Sequence, residues 1–564
     1  MRLSKAVTSF WLITLLSSFN WQVTAGTNDF VSMVLQKGNP PLVPLNYSHI
    51  VDPNTSPVSG TLKLSGEIRL KVNVEQSYLT YIDKKQSVAE QGYTHLDREL
   101  LPDIKFQFFT LDGNVIPVER RLQSSSHAYW DYFVGVGLVE KTEQTGTYQL
   151  TVPLTLVERN QNCTHNGVLT FLIDKQGTAS QYYYQFTSET CLYFKVNLWG
   201  VGQTKFATFN DIKAEPILEQ LKIEQQTLLP RRPLTELLNY NNDVILDNIK
   251  LKEFIEHDMS QLGVVFKGIH YYGQCQTRTG KYPFCQQMVL PSYSLAKSVF
   301  AGLTSDALRS RHPNLLEEEV TDWITECSQN QWQGVRFKHL LNMTTGFYAS
   351  EKHGVDEGSS DTLKFFLAES HQDKVKFACN HYPKKSSAGN KFIYHTSDTY
   401  LLGVALNRFY QHHYGHDKKL FDDFLVDKIF LPLGLSEIAS STLKTTDIGQ
   451  AFTGYGLFFT ADDLAKLSHY VSLQTADLIY KNIKHSMKTP LASIRYLNSF
   501  WLYDASVKVN CKRSTFIPYM SGYGGIALAI VSPELQFFYV SDSNHHAWQN
   551  SLIEFNKLTS ICAN

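Results

Sequence analysis

Pro291-Ser292-Tyr293-Ser294-Leu295-Ala296-Lys297-Ser298 is the stretch on which the reading of this 564-residue chain turns. Pro291 and Ser292 look like a helix start. Leu295, Val299, Phe300, Leu303, Ala307 and Leu308 then recur at helical spacing, which predicts a buried helix. On that helix Ser294 and Lys297 share a face and can meet. A serine hydroxyl is a weak nucleophile until a base takes its proton. A lysine ammonium cannot be that base in water, but burial disfavours the charged form and frees the amine. A helix start also aims backbone N–H groups at a developing oxyanion. The tetrapeptide Ser-x-x-Lys is common by itself, and taken alone it reads better as a capping serine beside a solvated lysine.

Further segments follow in order. Val335–Gly346 reads VRFKHLLNMTTG, Gly389–Leu402 reads GNKFIYHTSDTYLL, and residues 430–435 read FLPLGL. Gly454–Leu467 reads GYGLFFTADDLAKL and Tyr519–Ile526 reads YMSGYGGI. With Pro291–Leu303, this ordered set resembles the serine β-lactamase and penicillin-binding-protein-like superfamily, especially its class C, esterase and 6-aminohexanoate-dimer-hydrolase-like branch. The resemblance covers about residues 245–564 and does not reach the first 210. It implies an α/β (α+β) domain of antiparallel sheet and helices, working without metal or cofactor. It implies Ser294 as acylated nucleophile, Lys297 as proton acceptor and Tyr394 as the tyrosine that passes the proton to the leaving group. Ser521, Gly522 and Thr396 would contact substrate, and the backbone N–H groups of Ser294 and Tyr523 would form the oxyanion hole.

Two departures from the family pattern bear on substrate. Its Tyr-x-Asn is here Tyr394-His395-Thr396, so the usual amide is missing, although Thr396 can donate one hydrogen bond. Its Lys/His-Thr/Ser-Gly is here Met520-Ser521-Gly522, and a shifted alignment to Phe516-Ile517-Pro518 restores no cation. β-Lactams and D-Ala-D-Ala stems present a carboxylate at that position, and a buried unpaired carboxylate costs several kcal/mol. The expectation is therefore an exported serine hydrolase cleaving an ester or amide, rather than a β-lactamase or DD-peptidase. The alternatives are a non-catalytic binding or scaffold protein on the same fold, or a β-lactamase or DD-peptidase after all.

The rest of the chain reads as follows. Leu62, Leu64, Ile68, Leu70, Val72 and Val74 alternate with other residues, as do Tyr148, Leu150, Val152, Leu154 and Leu156. Turn signals at Asp112-Gly113-Asn114 and Asp174–Gly177 separate such runs, so residues 26–210 predict an all-β, sandwich-like domain. Residues 211–245 read as a linker, with a helical run at Ile217–Ile223 broken at Leu229-Pro230-Arg231-Arg232-Pro233. Residues 246–564 form the hydrolase domain, with a strand at Leu262–Tyr272 and a terminal hairpin around Ser532-Pro533-Glu534. Trp130, Tyr132, Tyr182–Tyr184 and Trp199 could stack on a polysaccharide, or simply pack a core.

Composition bounds the partners. The chain carries 52 Lys+Arg and 53 Asp+Glu, a net charge of -1, which argues against nucleic acid or a polybasic membrane surface. Residues 1–25 read as a secretory signal: Arg2 and Lys5 lead a short apolar stretch, Ala6–Phe19, and Val23-Thr24-Ala25 offers a cleavage point. Eight cysteines follow it, and an even count in an exported chain suggests disulfides in a periplasmic or secreted protein. Sequential pairing would join Cys163 to Cys191 and Cys275 to Cys285, although sequence alone leaves connectivity open. His412-His413-Tyr414-Gly415-His416 reads as a polar loop rather than a metal site, and His545-His546 as surface. Asn46, Asn54, Asn162 and Asn342 begin glycosylation-type triplets.

Overall fold

The computed structural model describes residues 27–51, 62–82, 101–238 and 259–563, apart from 143, 145, 193–194, 274, 328–329, 475 and 542–543. The signal expected at 1–25, the end of the linker, the domain boundary at 246 and Asn54 lie outside them.

The N-terminal region is all β. Its strands are β1 (Ser65–Tyr81), β2 (Ile104–Leu111), β3 (Asn114–Pro117), β4 (Trp130–Val134), β5 (Gly137–Lys141), β6 (Thr147–Glu158), β7 (Thr164–Asp174), β8 (Ala179–Glu189) and β9 (Val196–Thr208). They pair as one antiparallel sheet in the order β4-β6-β5-β3-β2-β1-β9-β8-β7, and β6 pairs with β7 as well. That last pairing runs from Thr147↔Asp174 to Val157↔Thr164 and closes the sheet on itself, leaving β4 beside β6. Strand alternation is the same for a closed sheet and for two facing ones, so only the pairing reveals the closure.

Alternation then decides what each face meets. Leu150, Leu154, Leu169, Phe171, Tyr182 and Tyr184 point into the closed sheet and pack with Phe106 and Phe108. Val157, Val168, Tyr183 and Val201 point outward and join Leu290, Met288 and Phe458 in the core of the C-terminal domain. β6, β7 and β8 are therefore buried on both faces over most of their length. Trp130, Tyr182, Tyr183 and Tyr184 are at most 1% exposed and Tyr132 and Trp199 are 4% exposed, so these rings pack the interior and offer no stacking platform.

Polar side chains stitch the same seam. Asn166 Nδ2 donates to the Val289 carbonyl at 3.0 Å, and its Oδ1 accepts from the Val289 amide at 2.9 Å. Gln287 makes the matching pair with Val136, both bonds 2.7 Å. Arg278 reaches back to Glu189 with two bonds of 2.7 Å, and the Glu189 carboxylate is fully buried.

The C-terminal domain is built on a second sheet. Its order is Arg231–Pro233, Ile269–Tyr272, Met259–Phe266, Leu535–Ser541, Ile526–Ser532, Phe516–Gly522, Phe500–Asp504, Ile494–Leu497 and Met487–Lys488. Only the first pair is parallel; the others are antiparallel. The Ala461–Gln474 helix packs on it, and the Thr396–Tyr414 helix packs beside Lys297–Gly302. The stretch read as linker is docked: Ala214–Gln226 is a helix and Arg231–Pro233 is the sheet edge, with Arg231 on Asp462 at 3.0 Å. The single strand expected over Leu262–Tyr272 is a hairpin instead. Lys267 and Gly268 both have positive φ (52° and 74°), the mirror-image turn that matches strand twist. His412 and His413 lie in the last turn of the Thr396–Tyr414 helix rather than in a loop, and Gly415 ends that helix.

Four disulfides use all eight cysteines: Cys163–Cys191, Cys275–Cys285, Cys327–Cys379 and Cys511–Cys562. They fit an extracellular or periplasmic protein. Among the described residues no helix is long and apolar enough to cross a membrane.

The seam gives a direct test. Arg278→Ala strands the buried Glu189 carboxylate without its cation, which is expected to cost about 3 kcal/mol and to lower the urea midpoint accordingly. An unchanged midpoint would show that the two domains do not lean on this pair.

Candidate active site

The nucleophile turn starts differently from the sequence expectation. Leu290–Pro291 is a short strand paired with Phe458–Phe459, so Pro291 precedes the helix instead of opening it. Tyr293 follows with φ of 42°, left-handed backbone that costs a bulky residue about 1–3 kcal/mol. The helix begins at Leu295, widens into a π-turn over Lys297–Gly302 and continues as α-helix to Arg309. Such local widening often accompanies functional sites. Ser294 thus sits on the last residue of a strained turn, at the mouth of a helix.

Lys297 is 1% exposed. Its Nζ lies 2.9 Å from Ser294 Oγ, 2.9 Å from Thr396 Oγ1 and 3.0 Å from the Gly454 carbonyl. None of these partners is a carboxylate, so desolvation dominates and lowers its pKa to about 8, with Glu357 pulling in the opposite direction. At pH 7 that leaves about a tenth of the molecules with a neutral amine, against roughly one in three thousand for a solvated lysine.

Tyr394 is half-buried beside this pair. The Lys297 Nζ lies 4.9 Å from its ring centroid, and Trp501 stacks on the ring at 5.5 Å. Desolvation first, then Tyr496 and Glu357, push the phenol well above its ordinary pKa, while a hydrogen bond with Ser294 works the other way. Tyr394 is therefore a neutral phenol, a proton donor rather than a resting base.

Thr396 opens the helix Thr396–Tyr414. Its hydroxyl donates to Glu357 Oε1 and its amide to Glu357 Oε2, the latter at 3.0 Å. The one hydroxyl proton expected for substrate goes to Glu357 instead, which leaves Thr396 Oγ1 free to accept from Lys297. Glu357 carries no motif, and nothing in the sequence points to it. Its position is set by its neighbour: Asp356 accepts from the Ala349 and Ser350 amides at 2.8 Å each and lies 3.1 Å from His395 Nε2.

These groups face a cleft of about 1070 Å³. Ser294, Tyr394, Thr396, Ser521, Gly522 and Tyr523 all line it, so every residue singled out from the sequence is at one site, with Lys297 directly behind. Gly522 has to be glycine: a Cβ there would sit 2.7 Å from the Ser292 carbonyl, so the Phe516–Gly522 strand can lie against the nucleophile turn. Met520, where a cation was missing, is fully buried in the core. Among the described residues the cleft lining has no lysine or arginine, and Glu357 adds a carboxylate to it. Trp501, Trp548, Leu363, Leu367 and Leu491 make much of the remaining wall, and the three leucines are 38–48% exposed. His546, read as surface, is at the rim of this cleft.

A buried lysine on a serine at a helix mouth, beside an antiparallel sheet, defines a β-lactamase-like domain. Residues 255–506 match the Beta-lactamase family model, which supports the serine β-lactamase-like superfamily for this part of the chain. The matched span holds Ser294, Lys297, Tyr394 and Thr396 and ends before Ser521–Tyr523. A structure described as a 6-aminohexanoate-dimer hydrolase from Bacillus anthracis is similar at 17% identity and a TM-score of 0.42, over 55% of this chain and 81% of that one. No curated protein sequence matches the chain.

The burial of Lys297 predicts a pH signature. Labelling of Ser294 by a serine-reactive probe should accelerate with pH as the amine loses its proton, with a midpoint near about 8. Glu357 holds that midpoint up, so Glu357→Gln should move it to lower pH. A rate flat across this range, or a shift to higher pH in Glu357→Gln, contradicts the assignment.

Proposed function

We propose that this protein is a serine hydrolase that cleaves an ester or amide through an acyl-enzyme on Ser294. The observation that carries the reading is the buried Lys297 amine at 2.9 Å from the Ser294 hydroxyl, held by two other oxygens. A neutral amine has two N–H donors and one lone pair. Thr396 Oγ1 and the Gly454 carbonyl take the donors, and the lone pair is left for the Ser294 proton. A scaffold protein has no need of a desolvated lysine in this position.

The chemistry then runs in two halves. Ser294 Oγ bonds to the substrate carbonyl carbon as its proton passes to Lys297. The bond to the leaving alcohol or amine breaks while Tyr394 donates its proton to that group, and Lys297 resupplies Tyr394. Water next attacks the acyl carbon, its proton leaves along the same route, and Ser294 recovers its own. The N–H groups of Ser294 and Tyr523 are the assigned oxyanion donors, supported by the position of both residues on the cleft.

The cleft also supports a substrate class. A carboxylate would find Glu357 and no lysine or arginine on the lining, whereas an uncharged apolar group would cover Trp501 and the exposed Leu363, Leu367 and Leu491. The preferred substrates are therefore uncharged esters or linear amides with a sizeable apolar part, rather than β-lactams or D-Ala-D-Ala peptides. The disulfides support action outside the cytosol.

A panel of aryl esters, linear amides and β-lactams, run with a fluorophosphonate probe, decides the matter. Wild type should gain one adduct, mapped to Ser294 and absent from Ser294→Ala. Its kcat/KM should rise at least about tenfold from acetyl to octanoyl esters, since burial of even one of the added methylenes is worth about 1–3 kcal/mol. No adduct under any condition sinks the hydrolase, and a preference for carboxylate-bearing β-lactams sinks the substrate class.

A further inference from the structure

The β6–β7 hairpin of the N-terminal domain ends its turn at Asn162, next to Cys163 of the Cys163–Cys191 disulfide. Asn162 has φ of 58°, in left-handed backbone that asparagine tolerates better than most residues, and it is fully buried. Although it begins a glycosylation-type triplet, its amide has no room for a glycan, because each end of it is already used. Oδ1 accepts from the Tyr293 amide at 2.7 Å, the Gly456 amide at 3.0 Å and the Ser292 hydroxyl at 3.2 Å. Nδ2 donates to the Leu457 carbonyl at 3.2 Å.

Those partners are the two segments that build the nucleophile's surroundings. Tyr293 is the strained residue immediately before Ser294. Gly456 and Leu457 follow Gly454, whose carbonyl accepts from Lys297. One side chain from the other domain therefore ties the turn that carries the nucleophile to the loop that holds the base. Leu457 closes the circle, since its carbonyl accepts from the Ser292 amide at 2.9 Å and its amide donates to Ser292 Oγ at 3.1 Å. The next residue back on the hairpin, Gln161, lines the cleft itself.

We infer that Asn162 is a positioning residue for acyl transfer, and that the N-terminal β domain is a structural part of the active site rather than a separate binding module. This rests on the serine-hydrolase reading above. Its mechanism is distance control. The amide of residue 293 is fixed by Asn162, the peptide that follows carries Ser294, and the same carboxamide holds the 454–457 loop in register, so the separation of Ser294 Oγ from Lys297 Nζ is set from outside the domain that contains both. A displacement of the nucleophile by about 1 Å is enough to cost on the order of 100-fold in rate.

The test compares Asn162→Gly with Asn166→Ala in the full-length protein. Glycine accepts the left-handed backbone at 162, so this change removes the carboxamide without adding strain. Asn166→Ala loosens the same seam at Val289 but does not touch Tyr293. The readouts are the single-turnover rate of Ser294 acylation by an aryl ester, KM, and thermal unfolding. Asn162→Gly is expected to acylate about 10- to 100-fold more slowly, with KM within threefold of wild type, while a folded Asn166→Ala stays within about threefold in rate. Equal acylation in wild type and a folded Asn162→Gly overturns the inference, as does an equal loss in both variants. Should Asn162→Gly not fold, Asn162→Ser takes its place with the same criteria, and failure of both makes Asn162 a folding residue, which also overturns it. If wild type itself forms no adduct at Ser294, it is the hydrolase reading that has failed.

Discussion

The structure depends on keeping one amine dry. Lys297 has its Nζ against two hydroxyls and a carbonyl, with no ion-pair partner among them. Burying an amine this way is unfavourable for the charged form, so the surroundings must hold it without a counter-charge and without water. The turn just before the helix that carries Lys297 supplies Ser294, the helix that starts at Thr396 supplies the second oxygen, and the loop before Phe458–Phe459 supplies the third. Three separate segments must register within hydrogen-bond distance of a single nitrogen. Glu357 enters only through Thr396, close enough to moderate the amine and too far to pair with it.

That demand explains why the chain has two domains with no clean division between them. The outer faces of β6, β7 and β8 contribute to the same apolar cluster as Leu290 and Phe458, the strand pair from which the nucleophile turn departs. The closed sheet, filled by its own aromatic core, is a stiff body. A stiff neighbour is what a strained turn requires, because left-handed backbone at Tyr293 persists only where the surroundings over-determine it. Trp130, Tyr132 and Tyr182–Tyr184 are buried, the core-packing alternative of the two readings that the sequence offered for them.

Much of this was legible in the sequence, and the boundary has physical reasons. Ser294 and Lys297 were legible because a nucleophile and its base need to lie one helical turn apart, whereas Tyr394, Thr396 and Ser521–Tyr523 came only from the resemblance of the ordered segments to a known family. All of them reach one cleft. The eight cysteines could be counted, and two bridges were proposed from adjacency that the structure contains. Glu357 and Asn162 were not legible as site residues, because each acts across 39 and 131 residues of chain respectively, through a single side chain with no local pattern. The helix start was misplaced by a few residues because Pro291 suits a strand end as well as a first helical turn. The turn at Lys267-Gly268 was missed because lysine seldom takes left-handed backbone. Closure of the β sheet was invisible because alternation records which side chains face inward, not which strand edges meet.

The central claim is that residue 297 carries an amine poised to lose its proton near neutrality. It can be measured without any substrate, by following the Lys297 side-chain nitrogen in a lysine-15N-labelled protein across a pH titration, with Lys297→Met to assign the signal. The account predicts a lysine signal titrating near 8 that is missing from the variant, distinct from buried Lys374, which desolvation lowers to about 7. A Lys297 signal that titrates with the solvated lysines near 10.5 would contradict it.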